Sequence, residues 1–464
     1  MEFKQLIDRK EELNRISGAL ERENTQFIVV YGRRRIGKST LLKHIVNAKE
    51  KAIYFLSDTS SETVQRAAFA QSVSAVIDGF DKVIYPDWES LFRSLNRQLP
   101  SRTLVCMDEF PYLVKSCETL PSIIQKLLNE KNLKFDLILC GSSQQLMHGY
   151  VLNKQSPLYG LANEIIKMQS IPFQYIGMAM ECDAVQAVKE FAVWGGVPRY
   201  WEVRRDYPDM ETAIRKVLLD PQGVLIEEPQ RLLRDDMRDT IQATSLLTII
   251  GNGANKPSEI ASRVGKDTSA ISEPLSKLCD LGYVCREVPF GENPKKSKKG
   301  LYHINDSLLR FHYQFIVPYR SILELGKIDT VMKVVESQLP QFVGSCWELL
   351  CRNYVSGNII DGVAYNLASR WWGKIFQPNC KEGKMVELDV VAESIDKKHI
   401  LIGECKWTHD DDADRLMDTL MEKAKYLPFI KKGQEVHLVL FLKEFPHHIT
   451  KEMKIILPEE VIEG

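Results

Sequence analysis

Residues 27–48 constrain this chain more than any other stretch. A β-branched apolar run, FIVVY, leads into Gly32, Arg33, Arg34, Arg35, Ile36, Gly37, Lys38, Ser39 and Thr40, and the helical pattern TLLKHIVNA carries on from there. This is G-x-x-x-x-G-K-[ST] with a strand before it and a helix after it. Glycines at both ends let the backbone curl until successive N–H groups and the helix N-terminus face phosphate oxygens. The spacing predicts that Lys38 reaches the β- and γ-phosphates of a nucleotide and that the Ser39 hydroxyl ligates Mg²⁺. ATP and Mg²⁺ are the expected cofactors, with Gly32 through Thr40 around the phosphates.

Such a loop works at the end of a buried parallel strand, and the flanking sequence supplies one. FIVVY (27–31), AIYFLS (52–57), TLVCMD (103–108), DLILCGSS (136–143) and IIKMQSI (165–171) read as short strands. Candidate helices TLLKHIVNA, DWESLFRSLNRQ and LPSIIQKLLNE alternate with them, the pattern of an α/β doubly wound parallel sheet. TLVCMDEF adds Asp108 to hold the metal and Glu109 as a base that orients and polarises water. Ser142 and Ser143 end another strand, where two roles stay open: sensing the γ-phosphate, or capping a turn.

Residues 176–235 turn helical and polar. From 237 to 304 three helical patterns, the third opening at a Thr268/Ser269 cap, precede two short strands around the lysine-rich tip GENPKKSKKG, which predicts a winged helix-turn-helix. Lys295, Lys296, Lys298 and Lys299 on that tip suit DNA backbone phosphates; a solvated or docking loop is the alternative. The helix before the tip carries Glu273 and Asp280 beside Lys277, a poor match to base readout. The last stretch is a smaller α/β domain: a helix with WELLCRNYV, then KMVELDVVAES, HILIGECKW, a helix at 411–426, and EVHLVLFLKE. Strand alternation puts Glu404 and Lys406 on one face. If Asp389 shares it, two carboxylates hold Mg²⁺ while the lysine stabilises a hydroxide attacking a phosphodiester. The expected domains are 1–175, 176–235, 236–318 and 319–464.

Charge and composition exclude several classes. Over 464 residues, 61 Lys+Arg against 62 Asp+Glu leave a net charge of −1, too little for a uniformly basic nucleic-acid coat. No apolar run approaches the ~18 residues of a membrane span, and residues 1–13 lack a leader's apolar region, so a cytoplasmic chain with no membrane partner is expected. The ten cysteines form no C-x-x-C pair and read as buried free thiols.

Together IDRKEEL, GRRRIGKST, MDEF, CGSS, PLYGLANEI and GGVPRYW resemble the archaeal-type AAA-like P-loop ATPases, relatives of the STAND signalling ATPases. The resemblance implies that Arg9 and Glu12 stand near the base, and that Gly196 and Pro198 form a Gly-x-Pro motif closing over the nucleotide. Asp8 stands where relatives often have Gly, and Leu161 where many carry Arg. Arg199, or Arg33 to Arg35, are the substitutes at hand for that arginine. The C-terminal pattern resembles the PD-(D/E)XK nucleases; this resemblance implies that Glu348 is the helical acid and a further metal ligand beside Asp389 and Glu404, with Glu387 as an auxiliary. The resulting reading is an Mg²⁺-dependent ATPase whose nucleotide state controls a winged-helix and nuclease-like module in nucleic-acid processing or prokaryotic defence, with DNA as a partner and a homo-oligomer left open. The alternative is a nucleotide-gated signalling or scaffold protein with a silent C-terminal domain.

Overall fold

The computed structural model describes residues 7–130, 132–237, 239–376, 382–409 and 412–464. Residues 1–6, Cys380, and Asp411 at the expected start of the 411–426 helix lie outside them. The chain divides into two compact units, one comprising Met1–Ile171, Val197–Glu202 and Arg234–Arg238, the other Pro172–Gly196, Val203–Leu233 and Asp239–Gly464.

In the first unit, β1 (Phe27–Tyr31), β2 (Ala52–Leu56), β3 (Thr103–Asp108), β4 (Phe135–Gly141) and β5 (Glu164–Lys167) form one sheet in the order β2-β3-β4-β1-β5. Every pairing in it is parallel. Phe27, Val29, Val105, Met107, Leu137 and Leu139 pack on one face with Phe69, Trp88 and Phe92. The intervening Ile28, Val30, Leu104, Cys106, Ile138 and Cys140 pack on the other with Leu41, Leu42 and Ile45. Alternating side chains that are apolar at both parities are what a sheet covered by helices on both faces requires. Because β4 lies between β3 and β1, the carboxyl ends of these three strands share one edge, where doubly wound sheets hold ligands.

Boundaries shift for local reasons. The helix after the loop is Lys38–Asn47, beginning two residues before Thr40, because Gly37 at φ +92° already turns the chain into it. β5 stops at Lys167 instead of residue 171: its partner β1 ends at Tyr31, and Met168 N–H makes the last bond, to the Tyr31 carbonyl.

The second unit begins with the helices Ile176–Met180 and Ala184–Trp194. Thr240–Gly251, Pro257–Val264 and Thr268–Asp280 follow, then the antiparallel pair β6 (Val284–Glu287) and β7 (Leu301–Ile304). The third of these helices has Asp267 as its N-cap; Thr268, expected to cap it, is already helical. The four tip lysines are exposed, and Lys299 pairs with Glu292. Beyond the long helix Ile328–Val355, the hairpin β8 (Ile359–Ile360) and β9 (Val363–Ala364) turns through Asp361 and Gly362, both at positive φ. A mixed sheet follows: β10 (Ser369–Ile375), β11 (Lys384–Glu393), β12 (His399–Lys406), β13 (Glu435–Leu442) and β14 (Lys454–Ile456), in that order. The first two pairings are antiparallel and the last two parallel. Helix Ala413–Ala424, capped by Asp412, packs Met417 and Leu420 into a core with Leu388, Ile402 and Leu440. The nine described cysteines are free.

Candidate functional site

At the carboxyl edge of the first sheet the loop is shaped by two glycines. A side chain at Gly32 would meet the Met168 carbonyl at 2.6 Å, and Gly37 holds φ +92°. Arg35 also adopts a left-handed φ of +67°. Lys38 is buried, and its Nζ donates to the Arg33 carbonyl at 2.8 Å. Burial pulls its pKa down, against the opposing pull of Cys140, Glu109, Asp108 and Asp236.

Arg9 reaches the loop from outside. Its guanidinium donates to the carbonyls of Ile36 (3.0 Å) and Gln169 (2.9 Å) and pairs with Glu12 at 3.1 Å. It therefore clamps the loop backbone against the end of β5. Asp8, just before it, has φ +44°, a left-handed position natural to glycine and tolerated by aspartate.

Asp108 is fully buried at the end of β3. The Tyr54 hydroxyl donates to its Oδ2 at 2.7 Å and Glu109 N–H to its Oδ1 at 2.9 Å. Burial and then the Asp108 charge raise the Tyr54 pKa, with Ser39 bonding against them. That interaction brings Ser39 and Asp108 to one phenol, and hydroxyl plus carboxylate is a donor set suited to Mg²⁺. Glu109, at φ +54°, turns from the strand into the helix Phe110–Ser116 and accepts from Ser142 Oγ at 2.9 Å. The serine pair divides its labour: Ser143 caps the next helix, while Ser142 holds the Glu109 carboxylate.

Residues returning to this unit from later in the chain complete the surroundings. Arg33 donates to the Tyr200 hydroxyl at 3.0 Å, two residues beyond Pro198, and Arg34 pairs with Asp235 at 2.7 Å. Buried Asp236 accepts from Gln144 N–H. Arg199 pairs with Glu202, and Leu161 packs against the core. Tyr54, Tyr200, Asp235 and Asp236 carry no sequence signal; sites assembled over separations as long as 201 residues leave none.

The second unit holds a cleft of 640 Å³ whose lining includes Glu387, Asp389, Glu404, Lys406 and Lys423. Register brings its acids together: Val390 pairs with Gly403, and Asp389 Oδ2 accepts from Cys405 N–H at 2.9 Å. Trp347 anchors the long helix through a bond to the Phe441 carbonyl, and Arg352 bonds the Asp389 carbonyl. These contacts seat Glu348 beside Asp389. Burial first, and the Asp389 charge second, push Glu348 up to about 7. Asp389 is likewise raised by burial and then by Glu404. Glu404 goes the other way: burial pushes it up, but bonds from Lys406 (2.8 Å) and Lys423 (2.9 Å) hold it below its ordinary range. Arg370 pairs with the exposed Glu387 at 3.5 Å. Lys423 and Arg370 were not legible in the sequence, since nothing local separates them from surface cations.

Two family models match separate stretches of the chain. Residues 6–182 match a family described as an ATPase domain predominantly from Archaea, and residues 312–417 match one described as Archaea bacterial proteins of unknown function. An uncharacterized protein of Methanocaldococcus jannaschii is 28% identical over 431 residues, covering 90% of this chain and 92% of the relative. Among solved structures, the ORC2 protein of Aeropyrum pernix in its ADPNP-ADP complexes is 12% identical over 73% of this chain and 97% of that one, with a TM-score of 0.43. The ORC1 protein of the same organism in complex with DNA is 15% identical over 69% and 95%, with a TM-score of 0.35. Over residues 6–182 the chain is thus similar to an ATPase domain of the archaeal type. Among the described residues no helix is long and apolar enough to cross a membrane.

Proposed function

We propose that the first unit binds and hydrolyses Mg²⁺-ATP, and that nucleotide state governs a nucleic-acid-processing module in the second. The observation carrying this reading is the convergence of buried Lys38 and Asp108 with half-buried Glu109 on one sheet edge, beside a loop with positive φ at Gly32, Arg35 and Gly37. In it the Lys38 ammonium exchanges the Arg33 carbonyl for phosphate oxygens, a stronger, charge-assisted bond. Ser39 and Asp108 would hold the magnesium, which neutralises phosphate charge when bound. Glu109, kept in place by Ser142, takes the proton of the attacking water. Arg9 acts through the loop backbone, and Pro198 introduces the helix whose Tyr200 meets Arg33.

For the second unit, Asp389, Glu404 and Glu348 are the oxygen donors that would hold Mg²⁺ or Mn²⁺, and Lys406 is the group that would steady a hydroxide aimed at a phosphodiester. DNA meets the exposed lysine tip of a winged helix at residues 236–318, and the domains 1–175, 176–235, 236–318 and 319–464 belong to this reading, as does assembly into a homo-oligomer. The test is cleavage of labelled single- and double-stranded DNA and RNA with Mg²⁺ or Mn²⁺, with and without ATP. Activity lost in each of Asp389→Ala, Glu404→Ala and Lys406→Ala, with ATP hydrolysis retained, supports it; cleavage that survives all three sinks it.

One observation favours the second reading, a signalling or scaffold protein. Both Glu404 oxygens are engaged by lysines, Oε1 by Lys406 and Oε2 by Lys423, which disfavours a metal there. A wild type inert on every nucleic acid selects that reading.

A further inference from the structure

We infer that the amino-terminal end of the β12/β13 pair is a binding site for a divalent transition metal of the zinc class, with His399, Glu435 and His437 as its ligands. The parallel register sets His399 against Glu435 and Leu401 against His437. Side-chain alternation then puts Glu435 and His437 on the same sheet face as His399. The outcome is a compact triad. His399 Nδ1 lies 3.1 Å from His437 Nε2, His399 Nδ1 lies 3.4 Å from Glu435 Oε2, and His437 Nε2 lies 3.4 Å from Glu435 Oε1. Ligand atoms at roughly 2.0–2.1 Å from a tetrahedral ion stand about 3.4 Å apart. The three side chains have nearly that spacing already, so an ion needs only small adjustments of ring and carboxylate. Two imidazoles and one carboxylate suit zinc and its neighbours; magnesium and calcium prefer all-oxygen sets.

A second observation points to the same place. Glu435 and His437 line a recess of 210 Å³ together with Asp361, Tyr365 and Lys454. Tyr365 is fully buried, yet its hydroxyl has no hydrogen-bond partner among the described residues. Its ring stands edge-on to His437 with centroids 6.4 Å apart. A buried hydroxyl left unpaired is destabilising and calls for an explanation. Three protein ligands leave the fourth tetrahedral position open toward this recess. The β8–β9 turn frames the recess, with Asp361 held by Lys454 at 3.1 Å.

This site is separate from the carboxylate cleft. His399 and Glu404 differ by an odd number of positions on one continuous strand, so they project from opposite sheet faces, about 17 Å apart along the strand.

The experiment uses the full-length protein, stripped with EDTA and free of nucleotide. It is titrated with Co²⁺ in excess Mg²⁺, which fills oxygen-donor sites and competes weakly for imidazole. The expected result is one equivalent of Co²⁺ with the visible bands of a tetrahedral ion, displaced by Zn²⁺. His437→Ala should weaken that binding at least about a hundredfold. Glu435→Gln, at a side chain that is 69% exposed and so carries little packing, should weaken it as well and decides the matter if His437→Ala fails to fold. Absence of the tetrahedral bands in wild type, or equal affinity in wild type and Glu435→Gln, overturns the proposal and leaves a hydrogen-bonded histidine pair.

Discussion

The two candidate sites hold their charges in opposite ways. At the phosphate loop the acids are held by neutral donors, Tyr54 on Asp108 and Ser142 on Glu109, while the buried cation Lys38 rests on a carbonyl. In the second unit two of the acids are held by cations, Lys406 and Lys423 on Glu404 and Arg370 on Glu387, while Asp389 accepts from Cys405 N–H. A buried ammonium bonded only to a neutral oxygen gains when an anion arrives, because desolvation has already been suffered. A carboxylate already paired to two lysines gains less from a metal, because the ion must displace an existing charge pair. In the proposed reading the first site is therefore ready for an anion, and the second is partly neutralised from within.

The largest test of this contrast is Glu109→Gln. Loss of a general base costs typically about 10²–10⁴-fold in rate, so steady-state ATP turnover should fall by that order while ATP still binds. Wild-type turnover would break the assignment of the base. Lys38→Ala comes next. Charge-assisted bonds are worth about 1.5–3 kcal/mol each, so ATP affinity by calorimetry should drop by at least about tenfold. Unchanged affinity would mean that the buried ammonium is not the anion's partner.

Tyr54→Phe probes the neutral-donor side. Leaving buried Asp108 short of a hydrogen bond should destabilise the protein by about 1–3 kcal/mol, read from urea unfolding, and the loss should shrink when Mg²⁺-ATP is bound. Lys423→Ala probes the other cleft. Freeing one Glu404 oxygen from a pair worth about 0.2–1 kcal/mol should tighten Mn²⁺ binding by up to about fivefold, measured by electron paramagnetic resonance. Weaker Mn²⁺ binding in that variant would show Lys423 to be a support and not a competitor.

A further effect is in pH. Glu348 is raised to about 7 in the folded chain by burial and by Asp389, so between its ordinary value near 4.5 and pH 7 the native state holds a proton that the unfolded state has released. Stability from this group is therefore present at low pH and lost as pH rises through that window. Without metal, the Tm of wild type should fall relative to Glu348→Gln over that range; parallel curves would place Glu348 in water.

How much of this was readable in advance follows contact distance along the chain. The shape of the loop was legible because its residues are contiguous: Gly32, Gly37, Lys38 and Ser39 lie within one strand-to-helix turn. Asp108, Glu109, Asp389 and Glu404 were legible because each lies in or just after an apolar strand, where an acid needs a reason to be. The sheet itself was legible from runs apolar at both parities. Strands such as β10, with Gly373 and two adjacent tryptophans, and the three-residue β14 lacked a pattern strong enough to separate them from loop.

Local pattern thus specified the strands, the loop and the acids at the strand ends, since periodicity and backbone freedom are properties of neighbouring residues. Which groups hold those acids came from folding alone. Tyr54 meets Asp108 because β2 pairs with β3, Ser142 meets Glu109 because β4 pairs with β3, and His399 meets His437 because β12 runs parallel to β13. Hydrogen bonds and ion pairs act over about 3 Å of space whatever the sequence separation, and strand order, which sets those distances, is settled by the packing of the whole unit.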